Sequence, residues 1–132
     1  QLCGKLVARI DGRRVDADLP SRQGRLAFAY LTLNRHRVVT RAALVDAIQG
    51  ARGRCAAIVI NPGAFTHYAW AIHDALATFA GPVVEVHLSN PQRRESWRRT
   101  SVVSPVATGT IAGLGGLGYV LAVKAVARLL DA

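Results

Sequence analysis

The chain has 132 residues, 51% of them hydrophobic, which suffices for one domain with a real core and argues against global disorder. Its net charge of +9 is uneven: residues 1–54 hold eleven Lys/Arg against four Asp, while 55–132 hold six against four acids. The basic front is open to two readings, a polyanion-binding surface or a merely solvated one, and the isolated Cys3 and Cys55 fit reduced thiols better than a disulfide or a metal site.

In chain order, Lys5–Ile10 alternates mildly and ends in Asp11-Gly12, a hairpin turn signal, with Arg13–Ala17 as the return strand. Gln1–Ile10 has no uninterrupted apolar core, so no signal peptide is expected. After Pro20-Ser21, Arg22–His36 reads as a helix with Leu26, Ala29, Tyr30 and Leu33 on one stripe. Val38-Val39 is a short extended piece. Thr40 then caps a helix whose buried face is Leu44, Val45 and Ile48, with Gly50 as its stop.

The next two apolar runs do not alternate. Ala56–Ile60 stops at Asn61-Pro62-Gly63, and Pro82–Val86 stops at His87-Leu88-Ser89-Asn90. Such runs suit strands buried on both faces of a parallel sheet. Between them, Trp70, Ile72, Leu76 and Phe79 recur at helical spacing over Ala69–Phe79, and Gly81-Pro82 closes that segment. This is a βαβ unit, and polar side chains at the carboxyl ends of parallel strands are where such sheets bind ligands. Thr100–Val123 is uncharged and long enough to span a bilayer, but Pro105, five glycines and several Ser/Thr make it a strand followed by a packed helix. No membrane partner is expected.

Read by order alone, the front supplies strand, helix, strand and helix ahead of Ala56. That is the β-α-β-α-β succession of a three-layer, flavodoxin-like α/β fold with a mainly parallel sheet and an atypical N-terminal part. A competing arrangement keeps the hairpin and helices as a separate fragment beside a partial sheet. Residues 1–50 are thus an N-terminal segment and 51–132 the α/β core, together one compact domain.

Several motifs carry a resemblance. Asn61-Pro-Gly-Ala-Phe-Thr-His67, Glu85-Val-His-Leu-Ser-Asn90, Arg98-Arg-Thr-Ser101 and Ser104-Pro-Val-Ala-Thr-Gly109 resemble successive motifs of type II 3-dehydroquinate dehydratases. Gly113-Leu-Gly-Gly-Leu-Gly-Tyr-Val-Leu-Ala122 resembles that family's closing helix. The match runs from about Leu44 to the C-terminus, in order and with the family's spacing. Residues 2–48 are instead similar to the start of a winged-helix domain of antibiotic-regulatory-type activators, carried by Leu2–Arg14, Pro20–Ala27 and Arg37–Ile48. The recognition helix and wing of that family do not follow, so at most weak, salt-sensitive nucleic-acid binding is expected.

The first resemblance implies a cytoplasmic, cofactor-free and metal-free homo-oligomeric lyase that removes water from 3-dehydroquinate through an enolate, giving 3-dehydroshikimate. It implies that His87 is the general acid and that Glu85, two residues back on the same strand face, orients it. Asn61 and the amides of Leu88 and Ser89 would hold the substrate carboxylate, with Gly63 allowing close approach of the chain. His67 and Arg98 would bind ring hydroxyls, and Asp74 would reach a neighbouring subunit's site. Without the motif, a hydrogen-bonded strand-end histidine, an ordinary Asn-Pro-Gly turn and an exposed helical carboxylate describe His87, Asn61 and Asp74 as well. Arg93, Arg94 and Arg99 read as a solvated helical face, and His36 and His73 as surface residues. The G-x-G-x-x-G of Gly113, Gly115 and Gly118 has too few residues after it for a dinucleotide site, so it reads as close helix packing.

One departure matters. The family's general base is a tyrosine on a loop after the first strand, beside an arginine, and Asp11–Pro20 contains no tyrosine. Arg13 or Arg14 could replace the arginine, whereas Tyr30 lies on an apolar helical stripe. Turnover is therefore expected to fall by at least about 10²–10⁴-fold, the usual contribution of a positioned base. The alternative is an inactive chimera or a nucleic-acid-binding regulatory fragment.

Overall fold

The computed structural model describes the strand residues 9–10 and 13–14 and the continuous stretch 39–132. Two short strands, β1 (Arg9–Ile10) and β2 (Arg13–Arg14), pair antiparallel with Ile10 opposite Arg13. The helix expected over Arg22–His36 and most of the winged-helix resemblance lie outside the described residues. Val39 and Thr40 form no strand. Thr40 instead takes an extended conformation as the N-cap of α1 (Arg41–Ala51), where its hydroxyl accepts from the Ala43 amide at 3.2 Å. The helix passes Gly50 and stops one residue later, with Gly53 at a positive φ of 66° just beyond.

The described core is a three-stranded parallel sheet in the order β3 (Ile58–Ile60), β4 (Val83–His87), β5 (Gly109–Ala112). Its register sets Ile60 opposite Glu85, and Glu85 opposite Thr110. Helix α2 (Trp70–Ala77) connects β3 to β4, and α3 (Leu117–Leu130) follows β5. One apolar cluster joins Ile60 and Val83 to Ile48 of α1, Ile72, Ala75 and Leu76 of α2, and Val102-Val103. The other joins Ala57, Val84 and Val86 to Ala122 and Val126 of α3. The sheet thus lies between α1 and α2 on one face and α3 on the other, a three-layer α/β arrangement.

Two glycines make this spacing possible. A Cβ on Gly81 would lie 2.1 Å from the Ala56 carbonyl oxygen, so only glycine fits where the chain turns into β4. Gly118 brings the first turn of α3 against Val86 and Ile111, which supports the packing reading of the glycine-rich stretch. Two apolar residues of this segment lie outside the buried stripe of α2. Trp70 is 62% exposed, because it begins the helix outside the stripe carried by Ile72, Ala75 and Leu76. Phe79 lies past the helix end and only borders the core. Among the described residues, no helix is long and apolar enough to cross a membrane.

Candidate active site at the carboxyl edge of the sheet

The two-residue period of β4 decides what reaches each layer. Val84 and Val86 face α3, so Val83, Glu85 and His87 share the opposite face. Glu85 is fully buried and its Oε1 lies 2.8 Å from His87 Nε2. A carboxylate only accepts, so Nε2 carries the hydrogen, and Nδ1 is left for other chemistry. Four hydroxyls complete the setting. Thr66 donates to Oε1 in a short hydrogen bond, Ser104 donates to Oε2 at 2.8 Å, and Ser101 and Thr110 approach Oε2 at 3.4 Å.

Burial pushes the Glu85 carboxyl up. The hydrogen bonds from His87, Thr66 and Ser104 outweigh it, with help from the His87 charge, and hold the group below its ordinary value. The result is an ionised carboxylate beneath a histidine, an arrangement that can support an imidazolium as a proton donor.

The turn after β3 presents Asn61. Its Oδ1 accepts from the Gly63 amide at 3.0 Å, and its Nδ2 donates to the Tyr119 hydroxyl at 2.9 Å. Gly63 sits at a positive φ of 57°, which the turn requires and side chains rarely adopt. The 3-10 turn Gly63–His67 then carries Thr66 inward. Half-buried His67 follows, with Nδ1 2.7 Å from the Thr100 carbonyl oxygen, so that Nδ1 donates and Nε2 stays open. The His67 ring meets Trp97 edge-on at 5.2 Å, and the Arg98 guanidinium lies 4.1 Å above the same indole. Arg98 Nε also donates to exposed Glu95 at 2.7 Å.

Of the expected site residues, Glu85 and His87 are in contact, Asn61 and Gly63 form one turn, and His67 and Arg98 meet through Trp97. Leu88 and Ser89 are exposed just beyond β4, where the Gly115 amide donates to the Leu88 carbonyl at 3.0 Å. Asp74 is exposed on α2 and makes no described contact with this group. The arginine-rich stretch is two 3-10 turns, Pro91–Arg93 and Ser96–Arg99, rather than one helix. His73 is no free surface residue: it is half-buried, with Nδ1 2.7 Å from the Val102 carbonyl oxygen.

Sequence reasoning assigned no part to Thr66, Ser101, Ser104, Thr110 or Tyr119. One signal was available. A carboxylate inside a continuous apolar strand needs donors, and Thr100–Thr110 is the hydroxyl-rich stretch able to supply them. No group of His, Cys, Asp and Glu among the described residues could hold a metal ion.

The chain is similar to proteins of one known class. The family model "Dehydroquinase class II" matches residues 14–127, starting well ahead of Leu44. A 3-dehydroquinate dehydratase of Desulforudis audaxviator is 41% identical over 131 residues, 98% of this chain and 87% of that protein. One of Halalkalibacterium halodurans is 55% identical over 82 residues, 62% of this chain and 57% of that protein. The matched stretch is likewise 59% of a Pseudomonas putida relative, so the chain spans under two thirds of several curated relatives. Among solved structures, type II dehydroquinases of Butyrivibrio crossotus and Propionibacterium acnes superpose with TM-scores of 0.67 and 0.66 at 38% and 36% identity. These cover 77% and 86% of this chain, and 75% and 89% of the respective structures.

Proposed function

Because this chain belongs to the class II dehydroquinase family, we propose that it is a lyase acting on 3-dehydroquinate, removing water to give 3-dehydroshikimate. The observation that carries the proposal is the buried Glu85–His87 pair at the carboxyl end of β4. As an imidazolium with hydrogen on both nitrogens, His87 gives its Nδ1 proton to the departing C1 hydroxyl and is left as the Nε2–H ring, while Glu85 holds the ring and balances the imidazolium charge. The substrate carboxylate is taken by Asn61, by the Leu88 and Ser89 amides, and by the approach that Gly63 leaves open. His67 Nε2 and Arg98 meet ring hydroxyls, with Arg98 turning away from Glu95 to do so. Neither a metal nor an organic cofactor has a part in this reaction.

Removal of the C2 proton needs a base, and the loop tyrosine of the family is missing from Asp11–Pro20. Turnover is therefore expected at least about 10²–10⁴-fold below that of an intact relative. Ultraviolet absorbance of the conjugated product follows the reaction, with His87→Ala as the control. Family-level turnover abolished by His87→Ala would reveal a base elsewhere, and trace turnover indifferent to that change would leave a relative in fold alone.

The site is completed by assembly. Exposed Asp74 and Trp70 share α2, and we place them at a contact between copies of this chain. Sedimentation as a clean monomer at micromolar concentration would refute that contact.

A further inference from the structure

The hydroxyls around Glu85 form a chain with a direction. Ser101 Oγ accepts from two backbone amides, Val103 at 3.1 Å and Ser104 at 2.9 Å. A serine oxygen has two lone pairs, and both are now filled, so Ser101 can only donate onward. Thr66 Oγ1 lies 2.8 Å from it, nearer than either Glu85 oxygen at 3.4 and 3.5 Å. The Ser101 proton therefore goes to Thr66. The Thr66 proton is left for Glu85 Oε1, whose close contact with Thr66 would be repulsive without it. From the other side, Ser104 sends its proton to Oε2.

Backbone amides cannot reverse a hydrogen bond. A Glu85 proton pointing at Thr66 would turn Thr66 onto an already filled Ser101, so on that side the carboxyl can only accept. Ser104 and Thr110 reach its other oxygen, and no backbone amide fixes their direction. His87 is the only titratable side chain among the described residues in contact with the carboxylate.

We infer that Thr66 and Ser101 are positioning residues: their one-way hydrogen-bond chain, anchored on the Val103 and Ser104 amides, stabilises Glu85 as an acceptor and so sets the neutral His87 ring as the Nε2–H tautomer, with Nδ1 the nitrogen that exchanges a proton with the substrate. The catalytic meaning of that tautomer rests on the proposed function, while the tautomer itself does not. A neutral His87 ring with its hydrogen on Nδ1 would set an unprotonated Nε2 against the carboxylate.

The test is nitrogen NMR of the whole chain, labelled at histidine, with carboxyl carbon spectra of Glu85. In its neutral form the His87 ring of the unaltered chain is expected to carry hydrogen on Nε2 and none on Nδ1, beside an ionised Glu85. A neutral ring with its hydrogen on Nδ1, or a protonated Glu85 beside it, overturns the inference at once. Thr66→Val keeps the shape, cuts the chain and leaves the Ser101 turn in place. Both ring signals are expected to shift toward tautomer-averaged positions, and Thr66→Ser is expected to restore the single pattern. A folded Thr66→Val chain with an unchanged Nε2–H signature refutes the role of the chain. Should that variant not fold, Ser101→Ala is read by the same criterion. These spectra need no turnover. The expected tautomer in a chain that neither binds nor dehydrates 3-dehydroquinate would sink the proposed function alone, and mixed tautomers in an active chain would sink this inference alone.

Discussion

The two faces of β4 carry the same backbone and nearly the same burial, and they do opposite work. Toward α3 the strand shows Val84 and Val86, closed by Ala122, Val126 and the bare Cα of Gly118. That side is dry, and its contribution is area removed from water. Toward α1 and α2 it shows Val83, then Glu85 and His87, and there the chain spends four hydroxyls on one carboxylate. The contrast teaches that position in the core does not make a site. A buried charge persists because directed donors replace its water, whereas the valines opposite need only volume.

Removing the carboxylate should separate the two faces most sharply. Glu85→Ala leaves a cavity, the His87 Nε2–H and the Thr66 and Ser104 hydroxyls without a partner. A loss of about 3–5 kcal/mol in urea-unfolding free energy is expected, together with loss of any dehydration activity. Stability unchanged within error would mean that the donors find water and that the burial is not sealed.

On the dry face, Val86→Ala removes two methyl groups and leaves a gap beneath Gly118. About 2 kcal/mol is expected by the same unfolding measurement, with the activity of the folded fraction retained. Activity lost in proportion to the Glu85 variant would show that the two faces are not independent.

Acid distinguishes them further. Since the folded-state pKa of Glu85 is depressed, its contribution to stability is fully present above the unfolded value and disappears as pH falls through the folded one. The window lies at and below the ordinary carboxylate range. Glu85→Gln should flatten the stability-versus-pH curve there, while Val86→Ala lowers the curve without changing its slope. Parallel curves for the parent and Glu85→Gln would contradict the depressed value.

The smallest effect belongs to the surface. The Glu95–Arg98 ion pair is exposed, so Glu95→Ala should leave the Tm nearly unchanged, and what remains should vanish in salt. The same change frees Arg98 and should tighten binding of a polyhydroxy carboxylate, as calorimetry would read. Unaltered binding would argue that Arg98 stays on the Trp97 ring.

Much of the molecule was legible in the chain itself. The apolar runs ending at Asn61 and His87 became β3 and β4, and Thr40 caps its helix. Arg9–Ile10 pairs antiparallel with Arg13–Arg14, and Glu85 lies against His87 because a strand repeats every two residues. Trp70 shares the helical spacing of Ile72 and Leu76 yet lies outside their buried stripe, since spacing does not say where the helix starts. His73 was misread because its partner, the Val102 carbonyl, is 29 residues away.

The amino-acid sequence alone therefore determined the α/β class, the strand ends where the candidate site gathers, and the Glu85–His87 contact, since these depend on periodicity and on neighbours in the chain. Tertiary structure decided the rest. Thr66 meets Ser101 across 35 residues, Glu85 meets Thr110 across 25, and Asn61 meets Tyr119 across 58. Such contacts follow from sheet register and loop path, which no local spacing encodes, and they bring the hydroxyls to Glu85.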